Sequence, residues 1–157
     1  MIGTAQRLIT WLVAKMPEDP DKEYELKEHK KHRTLTQNSY YWQLLGQVAR
    51  ALKLSNTELH NRMIADFGYI DPYIKTIILR DDIDWTQLRS MHLKPSTATR
   101  SMDDGKLWRV YYVMRGSHEY NTQEMSRLID GLVEEAKAQG IETLTPEELA
   151  RLRGRYE

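Results

Sequence analysis

The side chains best suited to binding chemistry are cations and ring residues that lie close together in the sequence. One group belongs to the segment KEHKKHR and the residues after it: Lys27, Lys30, Lys31, Arg33, Gln37 and Tyr40. The other lies in and beside a predicted hairpin: Arg100, Arg109, Tyr111, Arg115 and His118. Cations neutralise phosphates and rings stack on bases, a combination typical of sites for single-stranded nucleic acid. We therefore predict that both groups contact such a polyanion.

Structural roles remain open for several residues in and near these groups. Tyr41 and Trp42 are spaced to lie with Leu45 in a helical core. Asn38 is placed to satisfy backbone groups near the start of the same helix. On the hairpin, Arg and Tyr side chains also form cross-strand pairs without any ligand.

The sequence gives little support for catalysis. The chain has no Cys, which excludes disulfides, Cys-ligated zinc and iron–sulfur clusters, and its five His form no metal-binding pair. Acidic residues occur in doublets typical of turns: Asp81, Asp82, Asp84, Asp103 and Asp104. Their recruitment around a metal ion is an alternative hypothesis, that of a metal-dependent nuclease. We expect no catalytic residue, no cofactor and no metal.

Charge is balanced in total but not along the chain. The 157 residues include 23 Lys+Arg and 23 Asp+Glu, so the formal net charge is zero. The early segment is basic, whereas residues 119–135 contain five acids and a single Arg. That acidic stretch supports a second alternative, an adaptor that meets a basic protein and contacts no DNA.

Length and hydropathy predict one compact domain over residues 1–157, with no membrane span and no secretory signal. We expect a cytoplasmic protein, since the absence of Cys fits a reducing compartment.

Apolar spacing predicts an α+β fold, a single helix-rich domain with a small antiparallel sheet or hairpin. The predicted helices are Thr4–Met16, Leu35–Lys53, Ser55–Phe67, a short one over Asp84–His92, Thr122–Gln139, and a last one opening at Thr145. The predicted strands are Lys22–Lys31, Tyr73–Arg80, Thr97–Met102 and Lys106–Arg115, the last two joined by an Asp-Asp-Gly turn. Gly131 interrupts a strong helical pattern, which predicts a close helix crossing.

The run Arg33–Asn38, followed by Trp42 in a helix, resembles the signature of the phage NinB (Orf) recombination-protein family. The opening helix and the PEDPDK turn precede this run at matching spacing. Near the C-terminus, Gln123–Asp130 and the continuation to Ile141 resemble the amphipathic helix of the family, which ends in a Gly-hydrophobic pair. The middle of the chain, from Leu54 to Thr99, does not match.

The resemblance implies a recombination mediator encoded by a phage or prophage. Such proteins bind single-stranded DNA and single-strand-binding protein, assist loading of a recombinase, act as homodimers and are not enzymes. Within the signature, Thr34, Asn38 and Trp42 are expected to serve the structural motif. The divergent middle and the neutral charge depart from the better-known members of the family.

Overall fold

The computed structural model describes residues 3–18, 20–25 and 35–154, which fall into two compact units, residues 1–31 and 32–157. The first unit contains helix α1 (Ala5–Lys15), whose first turn is capped because the Thr4 hydroxyl accepts the Arg7 N–H at 3.4 Å. The Trp11 ring contacts Tyr24 edge-on, with ring centroids 5.4 Å apart. The first predicted helix is therefore confirmed.

The strand predicted over Lys22–Lys31 is not present where the chain can be described. Residues 22–25 have no regular structure, and the remainder of that stretch lies outside the described residues.

The second unit combines helices with a small sheet, which confirms the predicted α+β class. Its elements are α2 (Leu35–Leu52), α3 (Asn56–Phe67), β1 (Thr76–Arg80), β2 (His92–Ser101), β3 (Leu107–Met114), α4 (Thr122–Ala138) and α5 (Pro146–Leu152). Each helix prediction that covers α2, α3, α4 or α5 is confirmed to within a few residues. Among the described residues, none of the helices has the length and apolar character to span a bilayer.

Apolar stripes of the helices form the main core, in which α4 packs against both α2 and α3. A capping box at Asn121 and Glu124 begins α4, because each residue's side chain accepts the other's backbone N–H. The close crossing predicted at Gly131 is confirmed within this chain: a Cβ there would lie 2.4 Å from the Phe67 ring. The sequence uses glycine at this point because a side chain would not fit beside Phe67.

The three strands form an antiparallel sheet in the order β1-β3-β2. Both β1 and β2 pair with β3, so that Ile77 on β1 and Pro95 on β2 flank Tyr111. The predicted hairpin is confirmed, with Gly105 in its turn at a φ of 73°, although β2 begins at His92, earlier than predicted.

The short helix predicted over Asp84–His92 is wrong. Only Trp85–Gln87 forms a helical turn, of the 3-10 type, and Asp84 caps it through the Thr86 N–H at 3.2 Å. The Asn61 amide donates to the carbonyls of Thr86 and Leu88 at 2.7 Å each. Those carbonyls are held by α3, so the turn does not continue as a helix.

Candidate nucleic-acid interface

One face of the sheet is covered, and it is the face predicted to bind. Tyr111 is 1% exposed and packs with Leu93 and Val113. Side chains of the neighbouring strand and of the 3-10 turn complete this cluster: Ile77, Leu79, Trp85 and Leu88. The prediction that Tyr111 stacks on a base is therefore wrong, because its ring is already enclosed by protein.

The two arginines predicted beside Tyr111 have partners within the protein. Arg109 forms an ion pair with Asp81 and also donates to the Ser96 carbonyl at 2.5 Å. Arg115 donates to Glu124 at 2.5 Å and lies over the rings of Tyr69 and Tyr120, 5.4 Å from each centroid. Arg109 and Arg115 thus hold loops and helix α4 onto the sheet, and the prediction that they bind phosphate is corrected.

The opposite face of the sheet is partly open, and we call it the open face. Its residues belong to all three strands and share the direction of the even-numbered side chains of β3: Thr76, Ile78, Arg80, Lys94, Arg100, Trp108, Val110 and Tyr112. Tyr112 is 36% exposed and Ile78 is 57% exposed. Toward the other end of the strand, Met114 is buried in the helical core.

Two cations of the open face lie beside its rings. Lys94 is the direct strand partner of Tyr112, and Arg100 is the direct partner of Trp108. Directly opposed residues of an antiparallel pair point to the same face, at about 5 Å between Cβ atoms. In the described part of the chain, neither cation has a salt bridge, whereas Arg80 pairs with Asp82. Arg100 is therefore a predicted site residue that the structure leaves on an accessible, ring-bearing surface.

Two buried donors on the open face lack partners among the described residues. Trp108 Nε1 and Arg80 Nε make no hydrogen bond, and these two residues are strand partners. An unsatisfied buried donor costs about 1–3 kcal/mol.

Residues of α2 that were predicted to bind are placed differently. Gln37 is fully buried, and its amide donates to the Thr122 carbonyl at 3.3 Å and to Ser126 Oγ at 3.1 Å. Its predicted contact with nucleic acid is wrong, because the side chain ties α2 to the start of α4. Asn38 is partly buried within α2, and its side chain makes no hydrogen bond to a described residue.

Among the described residues, the charged groups that lie beside Tyr40 are acidic. The Tyr40 ring is partly buried, and its hydroxyl accepts the Leu144 N–H at 3.3 Å. It lines a cavity of about 510 Å³ whose charged residues are Glu142 and Glu148. A polyanion is disfavoured there, so the predicted stacking role of Tyr40 gains no support.

Helix α2 also contributes to a buried cluster of histidines. Tyr41 is buried as predicted, and its hydroxyl lies 2.8 Å from His60 Nδ1. Trp42 is 40% exposed, and its ring lies over His60 with centroids 4.6 Å apart, so its predicted place in the core is wrong. Burial, and secondarily the charge of His92, lowers the pKa of His60 to about 3. His60 is therefore neutral at physiological pH.

A second histidine contact fixes a tautomer in this cluster. His92 Nδ1 lies 2.6 Å from Asn61 Oδ1, and Asn61 uses its amide nitrogen for two carbonyls. Asn61 Oδ1 must accept, so His92 carries its proton on Nδ1. Burial, with His118 nearby, also lowers the pKa of His92. His118 itself is exposed at the surface.

Four of the five acidic residues considered for a metal site have other partners. Asp81 and Asp82 pair with arginines, Asp84 caps the 3-10 turn, and Asp104 accepts the Lys106 N–H at 2.9 Å. Within residues 3–18, 20–25 and 35–154, no three His, Asp or Glu side chains are grouped to hold a metal ion.

The basic segment predicted to bind lies outside the described residues, which include none of Lys27, Lys30, Lys31, Arg33 and Thr34. Tyr112, Trp108 and Lys94 were not predicted as site residues. Alternation along β3 places Tyr112 and Trp108 on the face opposite to Tyr111, and Lys94 on β2 is the strand partner of Tyr112. Comparisons with family models, curated proteins and solved structures found nothing that matches this chain.

Proposed function

We propose that this chain binds single-stranded DNA through the open face of its sheet. In this proposal it serves a phage or prophage as a recombination mediator in the cytoplasm of the bacterial host, as the resemblance to the NinB (Orf) family implies. Single-strand-binding protein and a second copy of the chain are its further partners. Catalysis has no part in this function.

The observation that carries the proposal is that one face presents an exposed ring beside cations that have no salt bridge to a described residue. Tyr112 offers a ring for base stacking, and Lys94 and Arg100 lie on the same side of the sheet. Stacking on an aromatic side chain contributes about 1–3 kcal/mol per base and tolerates every sequence. Cations beside the rings can neutralise the phosphates between stacked bases.

Replacing Tyr112 by Ala tests the proposal. Loss of one stacked base should raise the dissociation constant for a labelled oligo(dT) about 10-fold, measured by fluorescence anisotropy. Arg100→Ala should also lower the slope of log affinity against log salt by about 0.7, because one phosphate contact is lost.

The matched control is Tyr73→Ala. Tyr73 is 93% exposed and lies outside the strands, so its removal deletes a ring that is more accessible than that of Tyr112 from outside the open face. Its affinity should equal that of the wild type. Equal affinities of Tyr112→Ala and the wild type would contradict the proposal.

A further inference from the structure

A cavity of about 510 Å³ is lined by α2 and by the residues around the start of α5. Its volume falls within the range of about 300–1,000 Å³ that is usual for sites of small molecules. Tyr40, Gln43 and Gln47 share one face of α2, because they lie three and four residues apart. The described residues that give the cavity its chemistry are Tyr40, Gln43, Gln47, Glu142, Leu144 and Glu148.

The charge of this cavity favours a cation. Its charged residues are Glu142 and Glu148, and neither forms a salt bridge with a described residue. A carboxylate only accepts hydrogen bonds, so its natural partner is a positively charged donor. Two carboxylates fall short of the three side chains that would group around a metal ion, and the described chain contains no such group. The lining therefore suits an organic cation.

Apolar surface lies beside the carboxylates. The Tyr40 ring and the Leu144 side chain are both partly buried against the helical core. The hydroxyl of Tyr40 accepts the Leu144 N–H at 3.3 Å, which holds the ring at the cavity wall. Alkyl chains pack on such surfaces, and an ammonium group is attracted to an aromatic ring within about 6 Å. The cavity thus combines contacts for an ammonium group with contacts for an alkyl chain.

Glu148 is held in place by the fold itself. One of its oxygens accepts the Thr145 N–H at 2.8 Å, as part of the capping box of α5. A carboxylate offers acceptor sites on both oxygens, so the second oxygen of Glu148 can accept from a ligand. Glu142 precedes the capping box and takes no part in it, so it can be replaced without removing a helix cap.

We propose that this cavity binds an aliphatic diamine or polyamine. Ammonium groups of the ligand donate to Glu142 and Glu148, and its alkyl chain packs on Tyr40 and Leu144. The cavity shares no residue with the open face of the sheet. The proposal therefore goes beyond the proposed function and holds whether or not the chain binds DNA.

Isothermal titration calorimetry of the full chain with the diamine putrescine tests the proposal, in buffer of low ionic strength and without DNA. We expect a dissociation constant of about 1 mM or lower. The uncharged diol of the same chain length should not bind, because it cannot form charge-assisted hydrogen bonds with the carboxylates.

Two variants change the lining in opposite directions. Glu142→Gln keeps the size of the side chain but removes a carboxylate, and it should weaken putrescine binding about 10-fold. Gln47→Glu adds a carboxylate at an exposed residue of the same cavity. That variant should bind putrescine about 3-fold more tightly.

The matched control is Glu147→Gln. Glu147 is exposed in the first turn of α5 and does not line the cavity. The variant loses the same charge as Glu142→Gln, yet it should bind putrescine as the wild type does. Far-UV circular dichroism reports whether each variant folds, and Gln47→Glu decides if Glu142→Gln does not.

Three results would overturn the proposal. The first is a wild type that does not bind putrescine, or that binds the diol equally well. The second is a folded Glu142→Gln variant with the affinity of the wild type, or a Gln47→Glu variant that binds no more tightly. The third is equal weakening by Glu142→Gln and Glu147→Gln, which would show a general effect of charge and no site.

Discussion

Whether a side chain of this protein has a structural role or lies free at the surface depends on its partners more than on its residue type. Arg100 on β2 is the strand partner of Trp108, the residue just before Arg109 on β3. Even so, Arg109 forms an ion pair with Asp81, whereas Arg100 has no acidic partner among the described residues. Their residue type predicts phosphate binding for both. The partner of Arg109 is 28 residues away in sequence, so spacing alone does not distinguish the two roles.

His60 makes stability dependent on pH, with a sign that follows from its burial. Its pKa is about 3 in the folded chain, against an ordinary value of 6.5, because burial disfavours the charged ring. Between these values the unfolded chain binds more protons than the folded one. Stability is therefore complete above pH 6.5 and falls as pH is lowered, by up to about 1.4 kcal/mol per pH unit.

Urea unfolding at pH 7.5 and pH 5.5 measures this effect. His92 shifts in the same direction, so both histidines contribute to the loss. The variant His60→Gln keeps a polar group for the Tyr41 hydroxyl but does not titrate, and its unfolding free energy should depend less on pH. An equal pH dependence in the variant and the wild type would show that His60 is not held neutral.

At the scale of elements, periodicity predicted the helices and the two sets of side chains on β3, but not which set is covered. The alternation of side-chain direction along Leu107–Met114 is a local property of the strand backbone. Tyr111 is covered by Leu79 on β1 and by Trp85 in the 3-10 turn. The residues of β3 that were predicted to bind therefore lie on the covered face, since the choice of which face is covered depends on contacts distant in sequence.

The crossing at Gly131 gives a prediction for helix packing. Gly131→Ala would place its Cβ 2.4 Å from the Phe67 ring. Overpacking costs about 1–3 kcal/mol, and this exceeds the gain of about 1 kcal/mol that Ala brings to a helix. We expect a net loss of about 1 kcal/mol of unfolding free energy, measured by chemical denaturation.

Gly46 provides the matched control within α2. A Cβ at Gly46 meets no atom within 4 Å, so Gly46→Ala should stabilise the protein by up to about 1 kcal/mol. Adding Phe67→Leu to Gly131→Ala should recover part of the loss, because the smaller side chain makes room. A Gly131→Ala variant as stable as the wild type would show that the Phe67 ring moves aside at no cost.

At the scale of the whole molecule, a chain of zero net charge can still leave some cations without acidic partners on one surface. Many of its cations are paired with acids, as Arg80, Arg109 and Arg115 are. Folding leaves Lys94 and Arg100 without such partners in the described chain, beside the rings of the open face. The net charge predicted neither which cations are paired nor which are left without partners. Attraction of a polyanion depends on the local distribution of charge. The role of the basic segment at residues 27–33 stays a prediction.

Ultraviolet cross-linking of oligo(dT) to the wild-type protein, followed by mass spectrometry of the linked peptides, tests the central claim most directly. Stacked rings are the side chains in closest contact with bases. We expect the principal cross-link in the peptide that contains Trp108 and Tyr112, and its loss when an excess of unlabelled oligonucleotide competes. Cross-links confined to other peptides, with none in β3, would contradict the assignment of the open face as the DNA-binding surface.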